Sequence, residues 1–180
     1  RGEARVRIPR PGITGVAVRG GVLTVTSQDA KVSLTLGEEA AAKWKARLEQ
    51  PPKALVDKLD VKPGAKAWLW GIDDEDLAAQ VKSRAGTVLT GGSASGCHVV
   101  FVQVDDEAGL GRIDRAAAAI LDDGAVWVVH PKGKGGVADT AVFARAKVLG
   151  LTATKVAKIS STHTAEKLVV PRAKRGSAAR

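Results

Sequence analysis

Three histidines, one cysteine, two acidic clusters and one glycine–lysine loop are the groups in this chain that could carry chemistry. His98, His130 and His163 are widely separated, and none stands at metal-ligand spacing from another ligand, so no metal is expected. Cys97 and His98 are neighbours, but adjacent strand residues project to opposite faces, so they do not make a nucleophile–base pair. The acids Asp73-Asp74-Glu75-Asp76 and Asp105-Asp106-Glu107 each follow an apolar run and precede a helical pattern, where acids cap and favour a helix start. The loop Pro131-Lys132-Gly133-Lys134-Gly135-Gly136 follows a buried strand and precedes a helix whose expected cap is Asp139 or Thr140. Its freed backbone amides and two lysines could cradle a phosphate or another small anion. It lacks the Gly-Lys-Ser/Thr ending of the phosphate-loop motif, and the simpler reading is a surface turn with solvated lysines. His130 closes a strand at the same edge as this loop, which makes it the best placed of the three histidines.

Those residues need elements to position them. The chain has 180 residues, 44% of them hydrophobic and only 3% aromatic, so its core must rest on Val, Leu, Ile and Ala. No apolar run approaches the about 20 residues of a membrane span, so a soluble protein is expected. A single cysteine excludes an internal disulfide and favours a reducing, cytoplasmic setting. The chain begins at Arg1 and contains no Met, which leaves room for an upstream leader. The net charge of +9 sits at the ends: residues 1–19 carry +4, residues 167–180 carry +5, and residues 20–166 balance. Arg172, Lys174, Arg175 and Arg180 therefore lie in a basic tail, expected to be disordered from residue 172, which could serve as a nucleic-acid arm.

Alternating runs around Val16–Val18, Leu23–Val25 and Val32–Leu36, joined through Gly20-Gly21 and Ser27–Ala30, predict a three-stranded antiparallel meander. A helix follows Gly37, with Ala40, Trp44 and Leu48 on the face expected to cover the meander. Pro51-Pro52 stops it and marks a boundary, giving units of about 1–50 and 51–171. Beyond it the pattern becomes strand–helix alternation. Strands are predicted at Ala65–Trp70, Thr87–Thr90, Val99–Val104 and Ala125–Val129. Helices are predicted at Lys53–Leu59, Asp74–Ala85, Gly111–Leu121 (Ile120 and Leu121 inward) and Thr140–Leu149. Ala153–Ile159 and Lys167–Val170 close the chain as a hairpin. Continuous apolar strands separated by helices imply an α/β, Rossmann-like, mostly parallel sheet covered on both faces. Trp68 and Trp70 share a strand face and, with Trp127, should fill the layer between sheet and helices.

Three landmarks carry a resemblance: Pro52-Lys53-Ala54-Leu55 leading to Val61-Lys62-Pro63-Gly64; His130-Pro131-Lys132-Gly133 with Gly136-Val137; and Thr162-His163-Thr164 with Lys167-Leu168-Val169-Val170. Together they resemble the small bacterial proteins grouped as domain of unknown function 3052, over roughly residues 52–171. The resemblance implies a shortened class I S-adenosylmethionine methyltransferase-like topology ending in an antiparallel hairpin. It implies no reaction, because a fold alone does not license one.

In such methyltransferases the cofactor lies where the first strand enters the first helix, on small glycines, with an acid after the second strand for the ribose. Here only Gly71 fits the first requirement, followed by Asp73–Asp76, and Gly91-Gly92 follow the second strand in place of an acid. Asp105 would lie at the sheet edge that faces substrate in those enzymes. The reading is a non-catalytic module that binds a partner or small ligand at the carboxyl edge, among Gly71, Asp105, His130, Lys132, Gly133, Lys134, Gly135 and Gly136, with no cofactor. Two alternatives stand beside it: a divergent S-adenosylmethionine-dependent methyltransferase, and nucleic-acid binding through the basic ends.

Overall fold

The structure, a computed structural model, describes residues 8–50, 54–133 and 136–176. The chain divides into two compact units, with the boundary between Pro52 and Lys53.

In the first unit, β1 (Ile13–Arg19), β2 (Val22–Ser27) and β3 (Lys31–Thr35) form an antiparallel meander. Gly20 and Gly21 join β1 to β2 with φ of 55° and 74°, which a tight two-residue hairpin turn requires at both positions. Helix α1 (Glu38–Glu49) follows. It does not meet the meander through the Ala40–Trp44–Leu48 stripe. Ala41 is the residue buried with Leu23 and Val25, Leu48 packs at the margin, and Trp44 is 47% exposed beneath the Arg47 guanidinium. A helix advances about 100° per residue, and the small Ala41 side chain lets the backbone approach the sheet, which turns Trp44 outward.

The second unit contains α2 (Leu55–Lys58), β4 (Lys66–Trp70), α3 (Glu75–Arg84), β5 (Thr87–Leu89), β6 (Cys97–Gln103), α4 (Arg112–Ala119), β7 (Ile120–Pro131), α5 (Asp139–Val148), β8 (Thr152–Lys158) and β9 (His163–Val169). Its sheet has the order β5-β4-β6-β7-β9-β8; the first four strands are parallel and the last two antiparallel to their neighbours. On one face Trp68, Val100, Val102, Val126, Val128 and Leu168 pack beneath α4 and α5. On the other, Leu69, Phe101, Trp127 and Val129 pack beneath α2 and α3. A sheet buried on both sides needs strands that are apolar on both faces, which is why β6 and β7 read as unbroken Val-rich runs. Trp127 closes the second layer by donating its indole N–H to the Leu59 carbonyl at 3.0 Å.

Several boundaries differ from those read in the sequence. Helix α4 ends at Ala119. The β-branched Ile120 turns extended and opens β7 opposite Cys97, leaving Leu121 37% exposed rather than inward. Strand β9 begins at His163, four residues before Lys167. The tail is not irregular from residue 172: Arg172–Lys174 form a 3-10 turn, Arg175 donates to the Val170 carbonyl, and Gly176 N donates to Asp122. Arg180 lies outside the described residues. No helix among the described residues is long and apolar enough to cross a membrane.

Candidate functional site at the carboxyl edge

The parallel strands β4, β6 and β7 end at one edge, and the turns that follow them bring polar groups together. After β4, Gly71 adopts φ 68°, and α3 is capped by Asp74, whose carboxylate accepts from Leu77 N at 2.8 Å. Gln103, which ends β6 and is 6% exposed, closes this turn. Its Oε1 accepts from Asp73 N at 3.2 Å, and its Nε2 donates to Asp73 Oδ2 at 3.2 Å and Asp105 Oδ1 at 3.1 Å. Arg112 donates to the Gln103 carbonyl at 3.1 Å, and its guanidinium would stand 3.3 Å from a Cβ on Gly71. Arg112 and Arg115 also lie over the Trp70 ring, which stacks on Trp68 at 4.8 Å. Gly71 and Asp105 are thus neighbours through Gln103. A shallow cavity of about 280 Å³ lies beside them, lined by Asp105, Asp106, Gly109 and Arg112. Asp106 caps the short 3-10 turn Glu107–Gly111 by accepting from Gly109 N.

The second group gathers around His130. On β7, His130 lies two residues beyond Val128; on β9, Glu166 lies directly opposite Val128. Side chains two apart on a strand share a face, and so do directly paired residues. His130 and Glu166 therefore point the same way, each 1% exposed. Asp139 joins them as the first residue of α5; the N-cap is Ala138, so Asp139 is not the cap. His130 Nε2 lies 3.6 Å from Asp139 Oδ1 and 3.7 Å from Glu166 Oε1, and one ligand atom from each residue lies within 4.8 Å of the others. Neither His130 Nε2 nor Glu166 Oε2 has a hydrogen-bond partner. His130 Nδ1 contacts the Pro131 carbonyl at 3.2 Å. Burial, then the Asp139 charge, push the Glu166 pKa up, and His130 opposes them. This departs from the expectation of no metal-ligand grouping, because the three residues come from a strand end, a helix start and a distant strand.

At the start of the glycine–lysine loop, Lys132 reaches the hairpin. Lys132 Nζ donates to the Ser160 carbonyl at 2.6 Å and its backbone N to the Thr162 carbonyl at 2.8 Å, so this exposed lysine is tethered to the hairpin while staying at the surface. Desolvation and the Lys158 charge lower the Lys132 pKa. Gly133 has φ 86°, and a Cβ on Gly136 would press on Pro131 at 3.1 Å. Lys134 and Gly135 lie outside the described residues.

Of the other histidines, His163 lies opposite Pro131 at this edge and His98 does not. His98 is exposed at the opposite, amino edge, where its Nδ1 accepts from Lys66 N, while its neighbour Cys97 is buried with its thiol pKa raised by desolvation. His163 Nδ1 contacts Thr162 Oγ1 at 3.0 Å. The amino edge holds a larger cavity of about 460 Å³, lined by Asp60, Lys62, Gly64, His98, Asp123 and Lys167 among others. Asp60 pairs there with Lys167 at 2.7 Å and Lys155 at 3.4 Å.

Residues 56–172 match the family model described as protein of unknown function, DUF3052. The chain belongs to the DUF3052 family. No curated protein sequence matches it. Among solved structures, LaPhzM superposes with a TM-score of 0.50 at 14% identity, covering 66% of this chain and 53% of that one. An S-adenosylmethionine-dependent O-methyltransferase from Thermotoga maritima gives 0.49 at 12%, covering 83% of this chain and 78% of that one. A TehB-like S-adenosylmethionine-dependent methyltransferase from Corynebacterium glutamicum gives 0.45 at 14%, with 74% and 97% covered. At such identities the likeness is one of fold. The DUF3052 unit is a Rossmann-like domain of methyltransferase type, and the meander lies outside the family match.

Proposed function

We propose that the DUF3052 unit is a binding module on a methyltransferase-like scaffold, taking a small polar ligand at the carboxyl edge of β7 and not using S-adenosylmethionine. One observation carries the second half of this reading. At the turn where a class I enzyme admits its cofactor, the Gln103 carboxamide bridges Asp73 and Asp105, and Arg112 stands over Gly71. These residues do not fit an adenosyl group: the approach to the Gly71 backbone is taken by the chain's own side chains, and β5 is followed by Gly91-Gly92. The ligand half is supported by two buried atoms at the same edge, His130 Nε2 and Glu166 Oε2, that lack hydrogen bonds, since buried polar atoms left without them are costly and mark sites that something else satisfies.

Calorimetric titration with S-adenosylmethionine tests it. No binding is expected at micromolar concentrations. Micromolar binding that disappears in Gly71→Val would overturn it and restore the divergent methyltransferase. The nucleic-acid alternative draws less support, because Arg175 is engaged with Val170 and the folded body carries balanced charge.

A further inference from the structure

We infer that His130, Glu166 and Asp139 form a binding site for one divalent transition-metal ion, with an open coordination position facing solvent. This rests on the reading of the carboxyl edge as a binding edge and names what that edge holds.

The spacing decides between two ways of satisfying these groups. An imidazolium paired to carboxylates closes to about 2.7–2.9 Å. Here Nε2 stands 3.6 and 3.7 Å from the two carboxylate oxygens, and neither it nor Glu166 Oε2 has a hydrogen bond. An ion bound tetrahedrally at about 2.0–2.2 Å holds its ligand atoms about 3.3–3.6 Å apart. The two separations from Nε2 lie close to the spacing an ion sets and well beyond that of a charged hydrogen bond, and since the three ligand atoms spread over 4.8 Å, the exposed Asp139 side chain would close inward on the ion.

The surroundings agree with this. The proton of His130 belongs on Nδ1, where it can be donated to the Pro131 carbonyl at 3.2 Å, leaving the Nε2 lone pair turned to the carboxylates. That is how metal-bound histidines are commonly oriented. In the form that binds metal, with neutral imidazole and ionised carboxylates, this ligand set carries a charge of −2, which a divalent ion cancels. One nitrogen among three ligands favours Zn²⁺, Mn²⁺, Fe²⁺ or Co²⁺ over Ca²⁺, which takes six to eight oxygens. His130 and Glu166 are held by paired strands, whereas the Asp139 side chain is 62% exposed. Two fixed ligands and one outer ligand leave the solvent side open to water or to a ligand's oxygen.

The full chain, stripped with a chelator, is titrated separately with Zn²⁺, Co²⁺ and Mn²⁺ by calorimetry. One ion per chain at micromolar affinity or tighter is expected, with Mn²⁺ broadening the His130 ring resonances in NMR spectra. Asp139→Asn, whose side chain is largely exposed, should weaken binding about tenfold or more, and Glu166→Gln should do so at least as strongly. Cys97→Ser and His163→Ala should leave it unchanged. The inference fails if no ion binds, if affinity survives both Asp139→Asn and Glu166→Gln, or if Mn²⁺ spares His130. Should Glu166→Gln not fold, Asp139→Asn and the NMR spectra decide. Absent metal binding with no S-adenosylmethionine binding sinks the ion alone. S-adenosylmethionine binding at Gly71 with metal binding intact sinks the cofactor-free reading alone.

Discussion

Glu166 faces Val128 across the β7–β9 ladder, and its carboxylate lies 3.7 Å from the His130 imidazole on the same face of the sheet. Two strands running in opposite directions thereby place a buried base and a buried acid beside each other at the edge of a mostly apolar layer. Positions elsewhere in the fold yield further measurable expectations.

Trp127→Phe should destabilise the protein by about 2 kcal/mol. It removes the indole N–H that the buried Leu59 carbonyl accepts and leaves a small void under α2. Chemical denaturation checks this: the midpoint should fall while the slope stays constant.

Gly71→Ala should cost about 1–2 kcal/mol. The residue sits at φ 68°, and the new Cβ would meet the Arg112 guanidinium at 3.3 Å. Thermal melts should show the loss, and Arg112→Ala should recover only the steric share.

Gly86→Ala and Gly91→Ala should behave differently. A Cβ at Gly86 would come within 2.9 Å of the Gly64 backbone, whereas one at Gly91 meets nothing within 4 Å. The first should lose about 1–3 kcal/mol and the second should remain close to wild type in the same denaturation assay.

Asp60 predicts a pH dependence. Desolvation raises its pKa, but the Lys167 hydrogen bond and the charges of Lys167 and Lys155 outweigh that and lower it below 3.8. A carboxyl group depressed in the folded state stabilises above its unfolded pKa and loses that contribution as pH falls through the folded value. Asp60→Asn should therefore cost no more than about 1 kcal/mol near neutral pH, the side chain being 45% exposed, and the difference should shrink toward zero as the pH falls through the depressed folded-state pKa. Asn suits the test because Asp60 has φ 57°, which Asn tolerates. A gap that persists in strong acid would refute the charge-based account.

Much of the scaffold was legible because periodicity reports burial. The Val-rich runs of β6 and β7, the acids before α3 and the glycine pair between β1 and β2 each led to the right element. Trp44 misled because a four-residue stripe says which residues share a helix face, not which face approaches the sheet. The site was harder to read. His130 could be placed at the right edge from its position after a buried run. Glu166 could not, because His163-Thr164-Ala165-Glu166 is too polar to read as strand, and the apolar pattern of β9 starts only at Lys167. Its signal was phase: Glu166 is two residues before Leu168 and so shares its inward face. Gln103, Arg112 and Asp139 gave no such sign, since each acts through a partner distant in sequence.

The antiparallel pairing of β7 with β9 has a consequence for synthesis. His130 and Asp139 leave the ribosome well before Glu166, which lies on the final strand. Domains generally fold as units, so the sheet cannot be completed beside the His130 face of β7 until β9 has been made. The β8–β9 hairpin, a local structure that closes quickly once made, supplies that neighbour. Chains halted before residue 166 should hold β7 as an uncovered edge open to pairing with other chains, and only the finished chain can assemble all three groups around His130.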